Sequence, residues 1–444
     1  MKIDIYLLDR HFKYTRFVST PMMSVLKAWT VSLGHEARVT ACGEDGVDLD
    51  TDAVAVAFSV YTFMAPSIYR ISDILRKKGK VVILGGPHFH GDVTLQEGTA
   101  HGDVIAQSIH RGQWESILRD IGEGKIRPFQ DPPVVVRDRE HLFRFPDNLH
   151  EISGDVNRGR FSLVMTSLGC PHGCEFCNPF MQGKYFLRGM DDIYRELAAV
   201  KSPYAVICDA TFGMNRTYTI ELMKKIAPLG KLMFAQTTLH YLDDAELLDA
   251  FMEGGVRWVS VGIESLSLPQ KKHGKNRFSR DLDRLRRILA DVAGRGLLIQ
   301  GNFVCGLDGE TAECFDLIRD FYRRSDLNSI IVDVIAPYPT TELYRKWNAQ
   351  GRIFDFNWEH YDYHHVVYRP THMTVEQLID GIVDLNRDVN SVPMLARKNL
   401  HVLGKVGPRV GWPTSMWNIF NHLGAKQKKR ELLDSKRYIN DHVN

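Results

Sequence analysis

Apolar positions in the first 125 residues come in short, nearly continuous runs that alternate with segments of helical spacing. Helices are predicted over 24–32 and 65–78, and the strand-like runs are KIDIYLLD, AVAVAFSV and KVVILGGPH. Runs of Val, Ile and Ala separated by helices are typical of a parallel sheet that is covered on both faces. We therefore predict an α/β fold with a Rossmann-like, doubly wound parallel sheet over residues 1–125. Ligands of such sheets bind at the carboxyl ends of the strands.

The same alternation resumes after a stretch that is rich in Pro, Asp and Arg and has little periodicity. That stretch, residues 126–158, is predicted to be a linker with at most one short strand pair. Residues 159–346 contain six strand-like runs, namely FSLVMTS, YAVICDATF, LMFAQTT, WVSVGIES, LLIQGNFVCGL and SIIVDVIAPYP. Six βα units are too few for a closed eight-stranded barrel and fit a partial (β/α)6 barrel. The remainder, residues 347–444, is predicted to be a mainly helical segment.

Composition narrows the class of protein. A chain of 444 residues with 44% hydrophobic and 25% charged residues is typical of a globular protein with two or three domains. The formal net charge of +2 gives no reason to expect a nucleic acid as a partner. The longest uncharged apolar run, 53–69, is interrupted by Pro66 and is too short to span a bilayer. Because three of the seven cysteines lie in one loop, we expect a reducing compartment and a cytoplasmic location.

The run SLGCPHGCEFCNPF carries the strongest chemical signal. It places Cys170, Cys174 and Cys177 at the spacing C-x3-C-x2-C, with no fourth cysteine beside them. Thiolates are soft ligands suited to an iron–sulfur cluster or to zinc. A closed structural zinc site needs four ligands, and the loop offers only His172 in addition. Three thiolates on a four-iron cluster would leave one iron open for another ligand.

This loop resembles the signature of the radical S-adenosylmethionine (SAM) superfamily, including the aromatic residue Phe176 before the third cysteine. The resemblance implies a 4Fe–4S cluster whose open iron binds the amino and carboxylate groups of SAM. It also implies one-electron cleavage of SAM to a 5′-deoxyadenosyl radical, which removes hydrogen from an unactivated C–H bond. A non-enzymatic iron–sulfur or zinc protein is the alternative from another class.

The strand ends of the second half resemble the same superfamily in the same order. CDATFGMN resembles the motif that meets the SAM amino group, although Ala210 stands where a second acid is common. SVGIES resembles a ribose-side G-x-E-S, and GNFVCGLDGET resembles G-x-F-x-x-G-x-x-G-E-T. APYPTTELY resembles the strand that flanks adenine. The resemblance thus implies a SAM site made of Phe176, Cys208, Asp209, Thr211, Glu264, Ser265, Gly306 and Pro337.

The N-terminal part resembles the cobalamin-binding domains that are fused to one branch of these enzymes, chiefly through GGPHFH. The cobalamin-binding residues that this implies are His11, Ser59, Gly85, Gly86 and Pro87. Two features depart from the pattern. The usual G-E-G-E stretch is replaced by AQSIHRGQWESI, and Tyr14 replaces the glycine of D-x-H-x-x-G. A domain that only shapes the substrate cavity is therefore the alternative.

The resemblance implies cobalamin-dependent C-methylation of a biosynthetic small molecule as the leading function. The alternative is a cobalamin-independent oxidoreductase that oxidises, hydroxylates, cyclises or rearranges its substrate, which the missing G-E-G-E stretch favours. An electron donor such as flavodoxin or ferredoxin is the expected partner. Aromatic residues of the C-terminal segment indicate a large apolar or aromatic substrate, namely Trp358, Tyr361, Tyr363, Trp412 and Trp417.

A second group of polar residues lies in the same segment, at His360, His364 and His365. Because His364 and His365 are adjacent, they would face opposite sides of a strand and could not easily chelate one ion. We predict surface or packing histidines, with a lining of the substrate pocket as the alternative. The basic run at 426–430 is predicted to be the solvated face of a terminal helix.

Overall fold

The computed structural model describes residues 1–10, 21–107, 109–136, 143–147, 149–156, 162–177, 185–268 and 281–442. The chain divides into two compact units. The first unit comprises Met1–Pro171, Cys177–Asp209 and Tyr338–Arg345. The second unit comprises His172–Phe176, Ala210–Pro337 and Lys346–Asn444.

A six-stranded parallel sheet forms the centre of the first unit. Its strands are β1 (Lys2–Leu8), β2 (Glu36–Cys42), β3 (Ala55–Ser59), β4 (Val81–Gly85), β5 (Val104–Ala106) and β6 (Val134–Val136). They are arranged in the order β2-β1-β3-β4-β5-β6, and every neighbouring pair is parallel. The chain reverses its direction of winding between β1 and β3, where doubly wound sheets bind their ligands. The predicted Rossmann-like sheet is confirmed.

Helices cover this sheet so that both of its faces are buried. Along β1, Ile3 and Ile5 belong to one core cluster, whereas Tyr6 belongs to the other. Alternate side chains of a strand point to opposite faces, so two clusters on one strand mean two packed layers. The helices of this unit are α1 (Pro21–Ser32), α2 (Ala65–Lys77), α3 (Asp92–His101), α4 (Arg111–Gly122), α5 (Leu149–Val156) and α6 (Met190–Ala199).

The interval that the sequence predicts as a linker contributes to this sheet. Strand β6 lies inside it and pairs with β5 through Val104↔Val134 and Ala106↔Val136. Helix α5 also lies inside the interval. Three consecutive valines between prolines and charged residues resemble a loop in composition, yet β-branched residues suit a short edge strand. Contact within the first unit therefore extends beyond residue 125.

Short strands follow in the first unit, and a parallel ladder forms in the second. In the first unit β7 (Ser162–Val164) pairs in parallel with β10 (Tyr204–Ile207), and β8 (Ser167–Leu168) pairs antiparallel with β9 (Phe186–Leu187). The second unit contains β11 (Leu232–Thr237), β12 (Val256–Glu264), β13 (Leu298–Cys305) and β14 (Ser329–Val334). These four strands are parallel, in the order β14-β13-β12-β11. The six predicted strands correspond to β7, β10, β11, β12, β13 and β14, so the predicted α/β fold class is confirmed.

Helices separate and follow these strands. They are α7 (Arg216–Ile226), α8 (Leu239–Leu242), α9 (Ala245–Gly254), α10 (Leu282–Gly294), α11 (Glu313–Arg324), α12 (Glu342–Ala349), α13 (Val375–Val389) and α14 (Val392–His442). Helix α14 is interrupted at Gly407, whose φ of 70° is not helical. Among the described residues, none of the helices combines the length and the hydropathy that crossing a membrane requires.

Candidate functional site

The three cysteines of the predicted cluster site, Cys170, Cys174 and Cys177, lie in the loop between β8 and β9. Each is a thiol outside any disulfide, and each is partly exposed. Between positions 171 and 176 exposed residues alternate with partly buried ones, and the partly buried ones are His172, Cys174 and Phe176. A loop that turns a thiol inward and leaves it accessible suits a metal cluster that must also receive a second ligand.

A buried carboxylate fixes the chain just before this loop. Asp209 is 4% exposed, and its Oδ1 accepts the backbone N–H groups of Thr166 at 2.7 Å and of Ser167 at 3.1 Å. Its Oδ2 accepts the Ser167 hydroxyl at 2.7 Å and also the Thr166 hydroxyl. Burial raises the pKa of Asp209, while these four hydrogen bonds act in the opposite direction. Asp209, predicted as a SAM contact, thus holds the corner from which β8 leads to Cys170.

Arg188 holds the chain on the other side of the loop, after β9. Its Nη1 donates to the carbonyl oxygen of Met165 at 3.2 Å, and its backbone N–H donates to the carbonyl oxygen of Thr166 at 3.0 Å. The guanidinium also pairs with Asp192, at 2.6 Å from Nε to Oδ2, and with Glu196. Thr166, Ser167 and Arg188 were not predicted from the sequence. The sequence feature that could have indicated this corner is the polar Thr-Ser pair at the end of an otherwise apolar strand.

Cys208, another predicted SAM contact, lies beside Asp209 at the end of β10. Its backbone N–H donates to the carbonyl oxygen of Val164 at 2.8 Å, which continues the pairing with β7. Burial and the negative charges of Asp209 and Glu196 raise the pKa of its thiol to about 12. The protonated thiol is a weak ligand, which argues against Cys208 as a fourth thiolate of the cluster.

Two predicted SAM contacts of the second unit are joined by a second buried carboxylate. Glu310 is 1% exposed; its Oε1 accepts the Ser265 hydroxyl at 2.5 Å, and its Oε2 accepts the backbone N–H of Gly306 at 3.0 Å. Oε2 also accepts the N–H of Leu307 at 3.2 Å. Burial raises the pKa of Glu310. The structure therefore brings Ser265 and Gly306, at the ends of β12 and β13, to one carboxylate.

The other predicted contacts of this unit lie at strand ends, as expected. Glu264 is the last residue of β12 and has a positive φ of 63°, which is unusual for a residue other than glycine. Thr211 is buried, and the N–H of the next residue, Phe212, donates to the carbonyl oxygen of Gln236 at 2.7 Å. Pro337 is buried three residues after β14. The SAM contacts assigned to these residues stay predictions.

A polar trio inside the second sheet was missed by sequence reasoning. Ser260 on β12 accepts the side-chain amides of Gln300 at 3.2 Å and Asn302 at 2.7 Å, both on β13. Gln300 and Ser260 are buried. Polar residues within apolar strand runs were the available signal. The three side chains therefore hydrogen-bond one another inside the sheet.

At the N-terminal sheet, the structure brings two predicted cobalamin contacts together at the carboxyl edge. Ser59 at the end of β3 is in register with Gly85 at the end of β4. Gly86 has a φ of 111°, and an added Cβ would lie 2.8 Å from the backbone N of Val60. A side chain at this position would therefore collide with the backbone of the loop after β3, which is sufficient reason for a glycine here. Pro87 begins the following turn, and His11 lies outside the described residues.

His88, next in this turn, was not singled out from the sequence. Its side chain is fully buried between Thr62, 3.2 Å from Nδ1 to Oγ1, and Tyr69, 3.1 Å from Nε2 to Oη. Burial lowers the pKa of His88 to about 3, so the imidazole is neutral. Its backbone N–H donates to the carbonyl oxygen of Val60 at 3.2 Å. His88 therefore ties the loop after β4 to the loop after β3.

A pocket of about 460 Å³ lies in the first unit beside β9. Four aromatic side chains and Arg188 form part of its lining, the aromatic ones being Phe143, Phe145, Tyr185 and Phe186. The ring of Phe143 lies 5.1 Å from that of Phe145 and 5.6 Å from that of Phe186, between ring centres. Arg144 also lines this pocket, so its wall combines aromatic rings with two guanidinium groups.

Part of the chain matches a known family. Residues 164–322 match the family model described as the radical SAM superfamily. The matched residues begin at the end of β7 and include the cysteine loop and the strand ends up to α11.

Two curated relatives from Chlorobaculum tepidum match over most of their length. Bacteriochlorophyllide d C-12(1)-methyltransferase is 24% identical over 345 residues, which cover 75% of this chain and 74% of that protein. Bacteriochlorophyllide d C-8(2)-methyltransferase is 24% identical over 365 residues, which cover 78% of this chain and 80% of that protein.

A solved structure shares the fold. It is the radical S-adenosylmethionine methyltransferase TsrM from Kitasatospora setae, with cobalamin and a 4Fe–4S cluster bound. The TM-score is 0.59 at 18% sequence identity, and the match covers 79% of this chain and 75% of that one.

Proposed function

The chain belongs to the radical SAM superfamily, and on that premise we propose that it is a cobalamin-dependent enzyme that methylates an unactivated carbon of a small molecule. The observation that carries the proposal is the cysteine loop, with three accessible thiols and a corner held by the buried Asp209. The resemblance to two C-methyltransferases over about three quarters of the chain supports methyl transfer.

In this proposal Cys170, Cys174 and Cys177 would hold a 4Fe–4S cluster. With SAM bound, the cluster would supply radical chemistry for an unactivated C–H bond, and cobalamin would supply the methyl group. The residues of the chain itself contribute by holding the cysteine loop and the strand ends in place. Asp209 and Arg188 fix the two ends of the loop, and Glu310 keeps the ends of β12 and β13 in one arrangement.

We place cobalamin at the carboxyl edge of the N-terminal sheet, beside Ser59 and Gly85. The position of this edge next to the reversal in winding direction supports that placement, because doubly wound sheets bind ligands there. The neutral His88 behind the edge fixes both loops. His11 as a ligand of cobalt stays a prediction from the resemblance.

We infer a large apolar or aromatic substrate. The pocket that includes Phe143, Phe145 and Phe186 supports this class through its aromatic rings, and of the two arginines that line it Arg188 is paired with two carboxylates. The two relatives named as bacteriochlorophyllide d methyltransferases support the same class. An electron donor such as flavodoxin or ferredoxin and a cytoplasmic location belong to the same proposal.

The first experiment is the metal and corrinoid content of protein purified without oxygen from cells supplied with cobalamin. We expect iron and sulfide in equal amounts, with corrinoid stoichiometric with the chain. Iron without corrinoid would contradict methyl transfer from cobalamin and favour the oxidoreductase alternative. A protein that holds no iron after reconstitution would contradict the whole proposal.

The substitution Cys174→Ala tests the loop directly. Removing one thiolate leaves too few ligands for a stable cluster, so we expect iron to be lost and SAM cleavage to fall to background. The matched control is Cys314→Ala, a buried thiol on α11 outside the loop, which should keep both. Cleavage of SAM by Cys174→Ala at the wild-type rate would overturn the assignment.

A further inference from the structure

A group of histidines and carboxylates lies in the second unit, outside the site described above. Asp362, His364 and Glu431 each present one nitrogen or oxygen atom, and these atoms lie within 4.8 Å of one another. The first two residues belong to the turn before Val366, whereas Glu431 lies on α14, 67 residues after His364. We propose that these three side chains form a binding site for a divalent transition-metal ion, with zinc as the preferred occupant.

The donor atoms suit such an ion. Zinc binds imidazole nitrogen and carboxylate oxygen at about 2.0–2.2 Å, so two of its ligand atoms are about 3.4 Å apart. His364 Nδ1 and Glu431 Oε2 already contact each other. An ion would replace this hydrogen bond and lie between the two atoms, with an Asp362 oxygen no more than 4.8 Å from either. One imidazole and two carboxylates favour zinc over calcium or magnesium, which prefer an all-oxygen set.

Surrounding groups hold the ligands in place. Asp362 Oδ1 accepts the backbone N–H of His364 at 2.9 Å and that of His365 at 3.1 Å. The Nδ1 atom of His365 lies 3.0 Å from Asp362 Oδ2, and Gln427 donates to Glu431 Oε1 at 2.9 Å. Metal ligands in proteins are regularly oriented by such outer hydrogen bonds.

Burial is graded across the proposed site. Asp362 is buried, whereas the side chains of His364 and Glu431 are 21% and 18% exposed. An ion can therefore enter from solvent and meet a fixed carboxylate. Three protein ligands leave a fourth position for water. Because the ligands come from two distant parts of the unit, the ion would fasten α14 to the turn at 362–364.

The test measures zinc and iron by elemental analysis in reconstituted holoenzyme that has been exposed to chelator and then to zinc. Full iron occupancy is required because the thiols of an empty cysteine loop would also bind zinc. We expect one zinc per chain in the wild type and background zinc in His364→Ala and Glu431→Gln, with iron unchanged. Zinc should also raise the Tm of the wild type and leave that of the variants unchanged.

Matched controls are His401→Ala and Glu253→Gln, which remove an exposed histidine and an exposed glutamate of the same unit outside the site. Both should keep the zinc of the wild type. Background zinc in the wild type, or equal zinc in the wild type and both site variants, would overturn the proposal. Unchanged iron in the variants shows that they fold. If His364→Ala does not fold, the more conservative variant Glu431→Gln still tests the proposal.

Discussion

Two buried carboxylates, Asp209 in the first unit and Glu310 in the second, accept hydrogen bonds from the same kinds of donor. In each, one oxygen accepts two backbone N–H groups and the other accepts hydroxyl groups. Burial raises the pKa of both. Each carboxylate thus accepts hydrogen bonds through both of its oxygens at a buried position.

The two differ in what they connect. Asp209 takes all four donors from two neighbouring residues, Thr166 and Ser167, which are 42 or 43 positions away. Glu310 takes its backbone donors from its own turn, at Gly306 and Leu307, and the hydroxyl of Ser265 from the loop after β12. One carboxylate is a long-range clamp and the other completes a local turn. We therefore expect changes near Glu310 to act on folding first and changes of Asp209 to act on the cysteine loop as well.

The largest expected effect comes from Gly306→Ala. An added Cβ would lie 2.0 Å from the Tyr368 Oη atom, and the φ of 94° is unfavourable for alanine. Tyr368 is fully buried and its hydroxyl donates to the Gly306 carbonyl oxygen at 3.0 Å, so it cannot move aside without losing that bond. We expect a loss of about 3–5 kcal/mol in the free energy of unfolding, measured by urea titration.

The control for this change is Gly294→Ala, at the end of α10, where an added Cβ meets nothing within 4 Å. Alanine should be neutral there or stabilise the helix by up to about 1 kcal/mol. If Gly306→Ala unfolds at the same urea concentration as Gly294→Ala, the turn held by Glu310 is not rigid. The expectation that changes near Glu310 act first on folding would then be wrong.

A smaller effect is expected from Asp209→Ala. It leaves the buried N–H groups of Thr166 and Ser167 without an acceptor, which costs about 2–3 kcal/mol. Because these residues lead into the cysteine loop, we also expect less iron per chain after reconstitution. Both quantities, the free energy of unfolding and the iron content, are measured on the same preparation.

Asp209→Asn is the matched variant. Its amide oxygen can replace Oδ1 as the acceptor of both N–H groups, and its amide nitrogen can donate to the two hydroxyls. We expect a cost below about 1 kcal/mol and iron close to that of the wild type. Equal losses in the alanine and asparagine variants would mean that charge, and not hydrogen bonding, is what the clamp requires.

Hydrophobic periodicity was sufficient to predict most of the fold. The parallel strands β3 and β4 are continuous apolar runs and β1 is an alternating one, and the structure has all three within a few residues of the predicted bounds. Strand β2 was missed because it is an edge strand with a weak apolar pattern. Its Arg38 pairs with the buried Asp4, at 2.6 Å from Nη2 to Oδ2, so a polar contact replaces the usual apolar alternation.

The site was only partly predictable from the sequence. The cysteine loop was evident from spacing, because metal ligands in one loop are close in sequence. FSLVMTS was predicted as one strand, yet it forms β7 and β8 with a corner at Thr166, since that corner depends on Asp209 more than 40 residues later. Short-range patterns do not contain such pairings. The same holds for Glu310 with Ser265 and for His364 with Glu431.

The smallest effect is a pH dependence that Glu310→Gln should remove. A carboxyl group whose pKa is raised on folding binds its proton more tightly in the folded state, so it stabilises the protein fully below its unfolded value of 4.5. That stabilisation is lost as pH rises through the folded pKa. The wild type should therefore gain stability relative to Glu310→Gln as pH is lowered from 8 toward 5, by about 1.4 kcal/mol for each unit of pKa shift. Thermal unfolding of both proteins across this range measures the difference. A change of the opposite sign would mean that the hydrogen bonds lower the pKa of Glu310 more than burial raises it. Because Asp209 has the same kinds of donor, its pKa would then also be expected to be lowered in the folded protein.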